Sequence, residues 1–218
     1  MSAPDLIQLV IRGSIKKTVL DEARQLHNMT AGNPEGVAAA RALGDLSHNV
    51  YVPLADAPTV GSELLFLDTW NSVDGLQKFF SDPQVQAGGN MMFESRDPVI
   101  ALPADVYTFT LRAPKDRPER FVGLVRGKVK SKDAAKAFFD GMQKGINKAR
   151  LSGLVSHEIF YVVSPQGPTN EVIGIDFWHD AEAMGKFYDG AGTALYDLFE
   201  SKPATSRWKQ PPGQWVEW

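Results

Sequence analysis

The sequence has no cysteine among its 218 residues. Disulfides, a thiolate nucleophile, iron–sulfur clusters and cysteine-based zinc sites are therefore excluded. The absence also suits a reducing compartment. Long apolar segments are lacking as well: the run 6–11 contains Gln8 and ends at Arg12, whereas a membrane-spanning helix needs about 20 apolar residues. Because the first residues also lack the pattern of a signal peptide, we expect a cytoplasmic protein with no membrane partner.

Charge of one sign is not in excess either. The chain has 23 basic and 26 acidic residues, a net charge of −3, whereas nucleic-acid-binding proteins usually carry a basic patch. We therefore expect no nucleic-acid partner. The sequence also lacks a glycine-rich phosphate loop and a Gly-x-Ser-x-Gly nucleophile motif. Its four histidines do not have the spacing of metal ligands, so we expect no metal site.

What the sequence does contain is an internal repeat. The spacing Arg-x-x-Gly-x-x-Ser-His occurs at residues 41–48 and again at 150–157. Asp-x-Trp follows each copy, at 68–70 and at 176–178. Similarity at a nearly fixed period indicates a repeated structural unit. We interpret the chain as a diverged tandem duplication.

The repeat predicts the domain organisation. The first repeat is expected over residues 1–112, a proline-bearing linker over 113–119, and the second repeat over 120–218, with a closing strand at 208–218. Hydrophobic patterning in each repeat predicts the order β-α-β-β-α-β, which is that of a ferredoxin-like unit. Such a unit leaves one sheet face uncovered. We therefore expect an α+β protein in which two ferredoxin-like repeats pack sheet to sheet as a pseudo-dimeric α/β barrel.

Two segments resemble a known family. Residues 65–83 look like the strand–Trp–helix segment of the antibiotic biosynthesis monooxygenase family, and residues 153–160 resemble its second strand. The resemblance implies the dimeric α/β-barrel superfamily and a reaction without a cofactor, in which a substrate carbanion reacts with oxygen. Haem-degrading relatives place a histidine on the helix after the Trp, where this chain has Phe80 and Tyr188. We therefore expect no haem bound in the manner of those relatives.

The repeated polar residues are the candidate site. A turn centred near Gly167 would place His157 directly opposite Trp178, and the first-repeat pair His48 and Trp70 is expected within one residue of the same pairing. Strand alternation places the aspartate of each repeat on the same face as its tryptophan. We therefore predict a His–Trp–Asp cluster in each repeat. The candidate catalytic residues are His157, His48, Asp176 and Asp68.

The candidate ligand-binding residues are the two tryptophans, as aromatic walls, and two arginines, as anion clamps: Trp178, Trp70, Arg150 and Arg41. A structural role is the alternative for each residue. The tryptophans would then be core, the aspartates helix caps, the histidines bonded to backbone, and the arginines partners in salt bridges between helix and sheet.

The sequence leaves two functions open. One is a cofactor-independent monooxygenase-like enzyme that acts on a small aromatic or polyketide-like molecule, with His157 or His48 as the base. The other is a non-catalytic ligand-binding or stress-associated barrel whose repeated residues maintain the fold. Both have a small molecule as the expected partner, and both allow two chains to associate as a homo-oligomer.

Overall fold

The computed structural model describes residues 6–17, 19–54, 62–110, 120–190 and 194–218. The chain divides into two compact units, one of Met1–Ile100 with Gln210–Trp218 and the other of Ala101–Lys209. The predicted linker 113–119 lies outside the described residues. These units differ from the predicted repeats, whose boundaries remain a prediction.

The first unit contains four strands and four helices. Its elements are β1 (Ile7–Ile15), α1 (Leu20–Met29), α2 (Pro34–Ala42), β2 (Asp45–Pro53), β3 (Glu63–Trp70), α3 (Val73–Ser81), α4 (Pro83–Met92) and β4 (Phe93–Pro103), whose last residues belong to the second unit. The strand order is β4-β1-β3-β2. Strand β3 pairs antiparallel with both β1 and β2.

The second unit repeats this arrangement. After the short strand β5 (Phe109–Thr110) come β6 (Phe121–Lys128), α5 (Lys132–Gly141), α6 (Gln143–Leu151), β7 (Leu154–Ser164), β8 (Gly167–Trp178), α7 (Ala181–Gly190), α8 (Ala194–Asp197) and β9 (Ala204–Lys209). The strand order is β9-β6-β8-β7, with β5 on the outer side of β7. The described residues therefore form an α+β fold with antiparallel strands and eight helices.

The sequence pattern also predicts helix caps at Ser72, Ser131 and Asp180, and all three are confirmed. Ser72 accepts a hydrogen bond from the backbone N–H of Gly75 at 2.9 Å, and Ser131 accepts one from Ala134 at 3.1 Å. Asp180 accepts from the N–H of Ala183 at 2.7 Å. Each side chain satisfies a backbone donor that has no partner within the helix, and this fixes the start of α3, α5 and α7.

The glycines of the repeated motif have equivalent roles. Gly44 and Gly153 both have a φ of +107° between a helix and the second strand of the unit, a conformation that glycine adopts without steric cost. The carbonyl of Gly44 accepts from the N–H of Asn71 at 2.9 Å, and that of Gly153 accepts from His179 at 3.0 Å. The motif therefore encodes a turn that ties the start of one strand to the end of its neighbour.

The predicted closing strand is wrong in its bounds. Strand β9 ends at Lys209, and residues 210–218 form no strand but belong to the first unit. Pro211 and Pro212 follow directly, and proline has no N–H to continue a strand ladder. The C-terminal segment 210–218 therefore contributes its tryptophans to the first unit.

Candidate functional site

The strand register places each histidine opposite an aspartate. His157 of β7 is the direct partner of Asp176 on β8, while Trp178 is paired with Leu154. The predicted pairing of His157 with Trp178 is therefore wrong by two residues. The turn lies between Ser164 and Gly167 rather than around Gly167, and a bulge between Tyr161 and Val163 shifts the register before the strand reaches His157. A shift of two keeps every side chain on its face, so the shift still leaves the predicted cluster together.

The same correction applies to the first unit. His48 of β2 is the partner of Asp68 on β3, and Trp70 is paired with Asp45. A bulge separates Asp45 from Ser47. The second unit has the same irregularity at the same place, between Leu154 and Ser156, so in both units the bulge lies between the histidine and the strand partner of the tryptophan.

The second-unit cluster consists of His157, Asp176 and Tyr188. The carboxylate of Asp176 is 2.6 Å from Nδ1 of His157, and the hydroxyl of Tyr188 donates to its other oxygen at 2.5 Å. His157 and Asp176 are both buried. Burial, with the negative charge of Asp176 next, raises the pKa of Tyr188 well above its usual value, so its hydroxyl keeps the proton that it donates.

Tyr188 has room because its neighbour is a glycine. Gly123 on β6 is the direct partner of Asp176, and a methyl group at Gly123 would collide with the hydroxyl and ring of Tyr188. In the first unit Leu9 is the partner of Asp68. The local sequence of β6 therefore permits a tyrosine to reach the aspartate of the second unit.

The hydrogen bonds of the second-unit cluster define the tautomer of its histidine. A carboxylate only accepts hydrogen bonds, so Nδ1 of His157 carries the hydrogen that faces Asp176. Among the residues that the structure describes, Nε2 of His157 has no hydrogen-bond partner. In the neutral ring this nitrogen has a lone pair, and it is therefore the atom that can take up a proton.

A cavity of about 920 Å³ contains this histidine. Its polar lining includes His157, Asp176 and Tyr188, and its apolar walls include Phe139, Phe187 and Trp178. Volumes of about 300–1,000 Å³ with a few polar groups among apolar walls are typical of small-molecule sites. The second unit therefore has its His–Asp pair in the wall of a cavity whose size is typical of small-molecule sites.

The first-unit cluster has two histidines. Nδ1 of His48 is 2.7 Å from the carboxylate of Asp68, and Nε2 of His48 is 3.0 Å from Nε2 of His27. His27 lies on the buried face of α1, and the exposed fraction of its side chain is 0%. Trp218 stacks on His48 with ring centroids 4.8 Å apart, and Trp215 lies 5.1 Å from His27.

The C-terminal segment 210–218 determines whether His27 or His48 carries the hydrogen that lies between their Nε2 atoms. The side chain of Asn28 accepts from the N–H of Val216 at 3.0 Å and donates to the carbonyl of Gln214 at 2.9 Å, so its oxygen is an acceptor. That oxygen is also 2.9 Å from Nδ1 of His27, which must donate to it. The opposite nitrogen of a neutral His27 is then an acceptor for Nε2–H of His48. His48 consequently donates from both nitrogens and is an imidazolium.

The pKa values of the two histidines agree with this assignment. Burial, with the charge of His48 next, lowers the pKa of His27 to about 3, so His27 is neutral. Burial also acts to lower the pKa of His48, but Asp68, with Asp45 and Glu217, raises it overall. The first-unit histidine is therefore held as a hydrogen-bond donor, whereas the second-unit histidine has a nitrogen available as an acceptor.

The structure does not place the predicted arginines in these cavities. Arg41 is exposed and lines a separate pocket with Gly44 and Asn71. Arg150 is exposed, lies 4.8 Å from the ring centre of Phe109, and donates to Asn147 at 3.3 Å. Neither belongs to the lining of the cavity that contains the histidine of its unit.

The predicted tryptophans do line the cavities. Trp70 and Trp178 are 0% and 1% exposed and each forms part of the wall beside its histidine. Sequence reasoning missed His27, Asp45 and Tyr188 as members of the clusters. Only Tyr188 had a usable signal, since Phe80 stands at the equivalent place of the first repeat.

Within the described residues, no group of three or more metal-binding side chains occurs, and no helix is both long and apolar enough to cross a membrane.

No protein-family model and no curated protein matches the chain. Solved structures do match it. A proposed monooxygenase from Lactobacillus acidophilus NCFM is 14% identical with a TM-score of 0.59, and the match covers 94% of this chain and 93% of that one.

An anthrone oxidase-like protein is 12% identical with a TM-score of 0.64 and 99% and 94% coverage. A variant of chlorite dismutase from Candidatus Nitrospira defluvii is 9% identical with a TM-score of 0.59 and 97% and 93% coverage. At such identities these likenesses establish the fold alone. The chain therefore shares the fold of these solved structures.

Proposed function

We propose that the second unit binds a small aromatic, polyketide-like molecule and oxygenates it without a cofactor, with His157 as the base. The observation that carries the proposal is the unpartnered Nε2 of His157 in a cavity of about 920 Å³. Asp176 and Tyr188 support this role because they hold the ring in the tautomer whose Nε2 accepts a proton.

The chemistry suits an aromatic ketone with an acidic CH₂ group. Nε2 of His157 takes one proton from this carbon, and the resulting carbanion is delocalised into the rings and the carbonyl. Molecular oxygen then reacts with the carbanion. The carbon is oxidised from CH₂ to C=O, one oxygen atom stays on the carbon, and the other leaves as water with the two hydrogens. The proton on His157 is returned to the departing oxygen, so the base is regenerated.

Oxygen uptake with anthrone as the probe tests the proposal. Wild-type protein is expected to consume one oxygen molecule for each anthraquinone formed. His157→Gln is expected to slow this reaction by about 10²–10⁴-fold, the usual contribution of a general base. His48→Gln is the matched control in the first unit and should leave the rate within about twofold in protein whose folding is verified. Equal rates for wild type and His157→Gln would contradict the proposal.

A non-catalytic ligand-binding protein is the second candidate. One observation favours it: Nε2 of His157 is almost fully covered, and the ring of Phe139 lies 6.5 Å from that of His157. In this case anthrone or its product would bind and raise the melting temperature, but no oxygen would be consumed above the uncatalysed rate. The same assay therefore separates the two functions.

The proposal also covers the origin of the two units and their packing. We infer that the chain arose by tandem duplication, because both units share the element order, the strand order and the bulge beside the histidine. Packing of the repeats sheet to sheet as a pseudo-dimeric barrel, a small molecule as the partner and association of two chains remain predictions. A solution scattering curve and a sedimentation measurement would test the packing and the association.

A further inference from the structure

The first unit has a cavity of its own. Its volume is about 600 Å³, and its aromatic lining includes Phe66, Phe79 and Phe80. Two polar side chains, Asp45 and Trp70, also belong to the lining. The apolar walls would suit a flat ring system, and the polar pair provides a place to orient it.

Asp45 and Trp70 each present an unsatisfied polar atom. Among the described residues, Oδ1 of Asp45 and Nε1 of Trp70 have no hydrogen-bond partner, although the side chains are only 4% and 0% exposed. The two residues are direct partners on β2 and β3, so their side chains leave the sheet on the same face as close neighbours. Buried polar groups are normally bonded, and a pair without partners calls for an explanation.

Nε1 of Trp70 and Oδ1 of Asp45 together determine which ligand group can bind between them. The indole N–H of Trp70 can only donate, so the ligand needs an acceptor. Oδ1 of Asp45 accepts when the carboxyl group is ionised and can donate when it is protonated, so the ligand group there must be able to do either. A hydroxyl group supplies both from one oxygen atom. Charged side chains of both signs line the cavity, among them Asp68, Lys78 and Arg96, so the charge of its walls does not call for an ionic ligand.

The protonation of Asp45 is compatible with such a neutral ligand. Burial, with the charge of Asp68 next, raises the pKa of Asp45 to about 8. The carboxyl group is therefore mostly neutral at pH 7, and it does not require a cation in the cavity. The backbone N–H of Ser47 acts to lower this pKa but does not outweigh the burial.

The second unit does not have this pair. Leu154 is the partner of Trp178 there, in the place that Asp45 has opposite Trp70. The first-unit histidine, moreover, has both of its N–H groups bonded, to Asp68 and to His27. The first cavity therefore has a polar anchor that the second lacks, and it lacks the free base nitrogen that the second has.

We propose that the first cavity is a separate, non-catalytic binding site for a hydroxyl-bearing aromatic molecule, a phenol, whose hydroxyl lies between Asp45 and Trp70. It is independent of the reaction proposed for the second unit. Loss of one site leaves the other intact, since the two anchoring sets share no residue.

The test follows the indole N–H signal of Trp70 by NMR during titration with naphthol. Trp70→Phe assigns the signal. A downfield shift is expected on binding, because the indole N–H gains an acceptor. Asp45→Leu, which copies Leu154, is expected to weaken binding at this signal by about 10-fold, the usual effect of one buried hydrogen bond. Leu154→Asp is the matched control and should leave the Trp70 titration unchanged.

Two further probes make the result decisive. Naphthalene lacks the hydroxyl and should bind about 10-fold more weakly than naphthol without the downfield shift. Naphthylmethylammonium carries a positive charge and should also bind more weakly, since it cannot accept from Trp70. The proposal is overturned if the Trp70 signal does not respond to naphthol, if Asp45→Leu binds as well as wild type, or if either of the other probes binds best.

Discussion

The same pair of residues is used in opposite ways in the two units. His48 and Asp68 in the first, and His157 and Asp176 in the second, are direct strand partners joined at 2.7 and 2.6 Å. In the first unit the far nitrogen donates to His27. In the second it has no partner among the described residues and lines a cavity. The group that packs against the far nitrogen, rather than the repeated pair, determines whether the histidine can act as a base.

The additional members of the two clusters, His27 and Tyr188, come from outside the repeated motif. His27 is oriented through Asn28 by the backbone of Val216, near the end of the chain. Tyr188 reaches Asp176 because Gly123 leaves space beside it. The repeated motif therefore determines the geometry of the His–Asp pair. The protonation of the histidine depends on the groups that pack against its second ring nitrogen.

The largest expected effect is on turnover. Asp176→Asn replaces an acceptor by a group that can also donate, and this allows His157 to adopt the tautomer whose Nε2 carries hydrogen. Oxygen uptake with anthrone should fall by about 100-fold or more. Asp68→Asn changes the equivalent residue of the first unit and should leave the rate within about twofold. Similar losses in both variants would remove the functional difference between the units.

The next effect separates the histidines by stability. His48→Ala removes a buried imidazolium and leaves Asp68 without its partner, so the free energy of unfolding should drop by about 3–5 kcal/mol. His157→Ala should cost less, about 1–3 kcal/mol, because it removes one hydrogen bond to Asp176, which keeps its bond from Tyr188, and Nε2 of His157 makes no bond to lose. Denaturant unfolding of the two variants gives both values. A larger loss for His157→Ala would reverse the comparison.

The stability that is lost in His48→Ala depends on pH in a defined direction. The folded-state pKa of His48 is raised above the ordinary value of 6.5. Its protonation therefore stabilises the fold fully below pH 6.5, and the benefit is lost as the pH rises through the folded-state pKa. The difference between wild type and His48→Ala should accordingly shrink towards alkaline pH.

Asp45 gives a smaller effect that is confined to the first unit. Its pKa is raised from the ordinary value of 3.8 to about 8 in the folded protein, so the folded state is destabilised as the pH rises from 4 towards 8. Asp45→Asn removes the ionisable group and should stabilise the protein at pH 8 by about 1–3 kcal/mol, with little gain at pH 4. Melting temperatures at both pH values test this, and an equal gain at both would contradict it.

The smallest effect concerns the hydroxyl of Tyr188. Tyr188→Phe makes the second unit resemble the first, where Phe80 has this place, and should lower turnover by about 5–10-fold through the loss of one hydrogen bond. Gly123→Ala should have a similar effect because its methyl group displaces the same hydroxyl. Phe80→Tyr is the reciprocal control and should not change the rate. Unchanged turnover in Tyr188→Phe would show that Asp176 orients His157 alone.

Much of the local structure could be predicted. The caps at Ser72, Ser131 and Asp180 lie where the sequence predicts helix starts, and the turn glycines of the repeated motif have the same φ. Such features depend on residues close along the chain. The strand pairing failed by two residues because a symmetric turn was assumed, and bulges are not visible in an alternating pattern.

The sequence by itself determined the order of the main elements and the grouping of a histidine with an aspartate and a tryptophan in each unit, because these follow from local patterning and from strands that are neighbours along the chain. Only the tertiary structure decided which histidine is protonated. His27 and Val216 are joined through Asn28 although they are far apart in sequence, and no periodicity links such positions. Proton affinity depends on burial and on the groups in contact, and contacts of this kind exist only once the chain has folded.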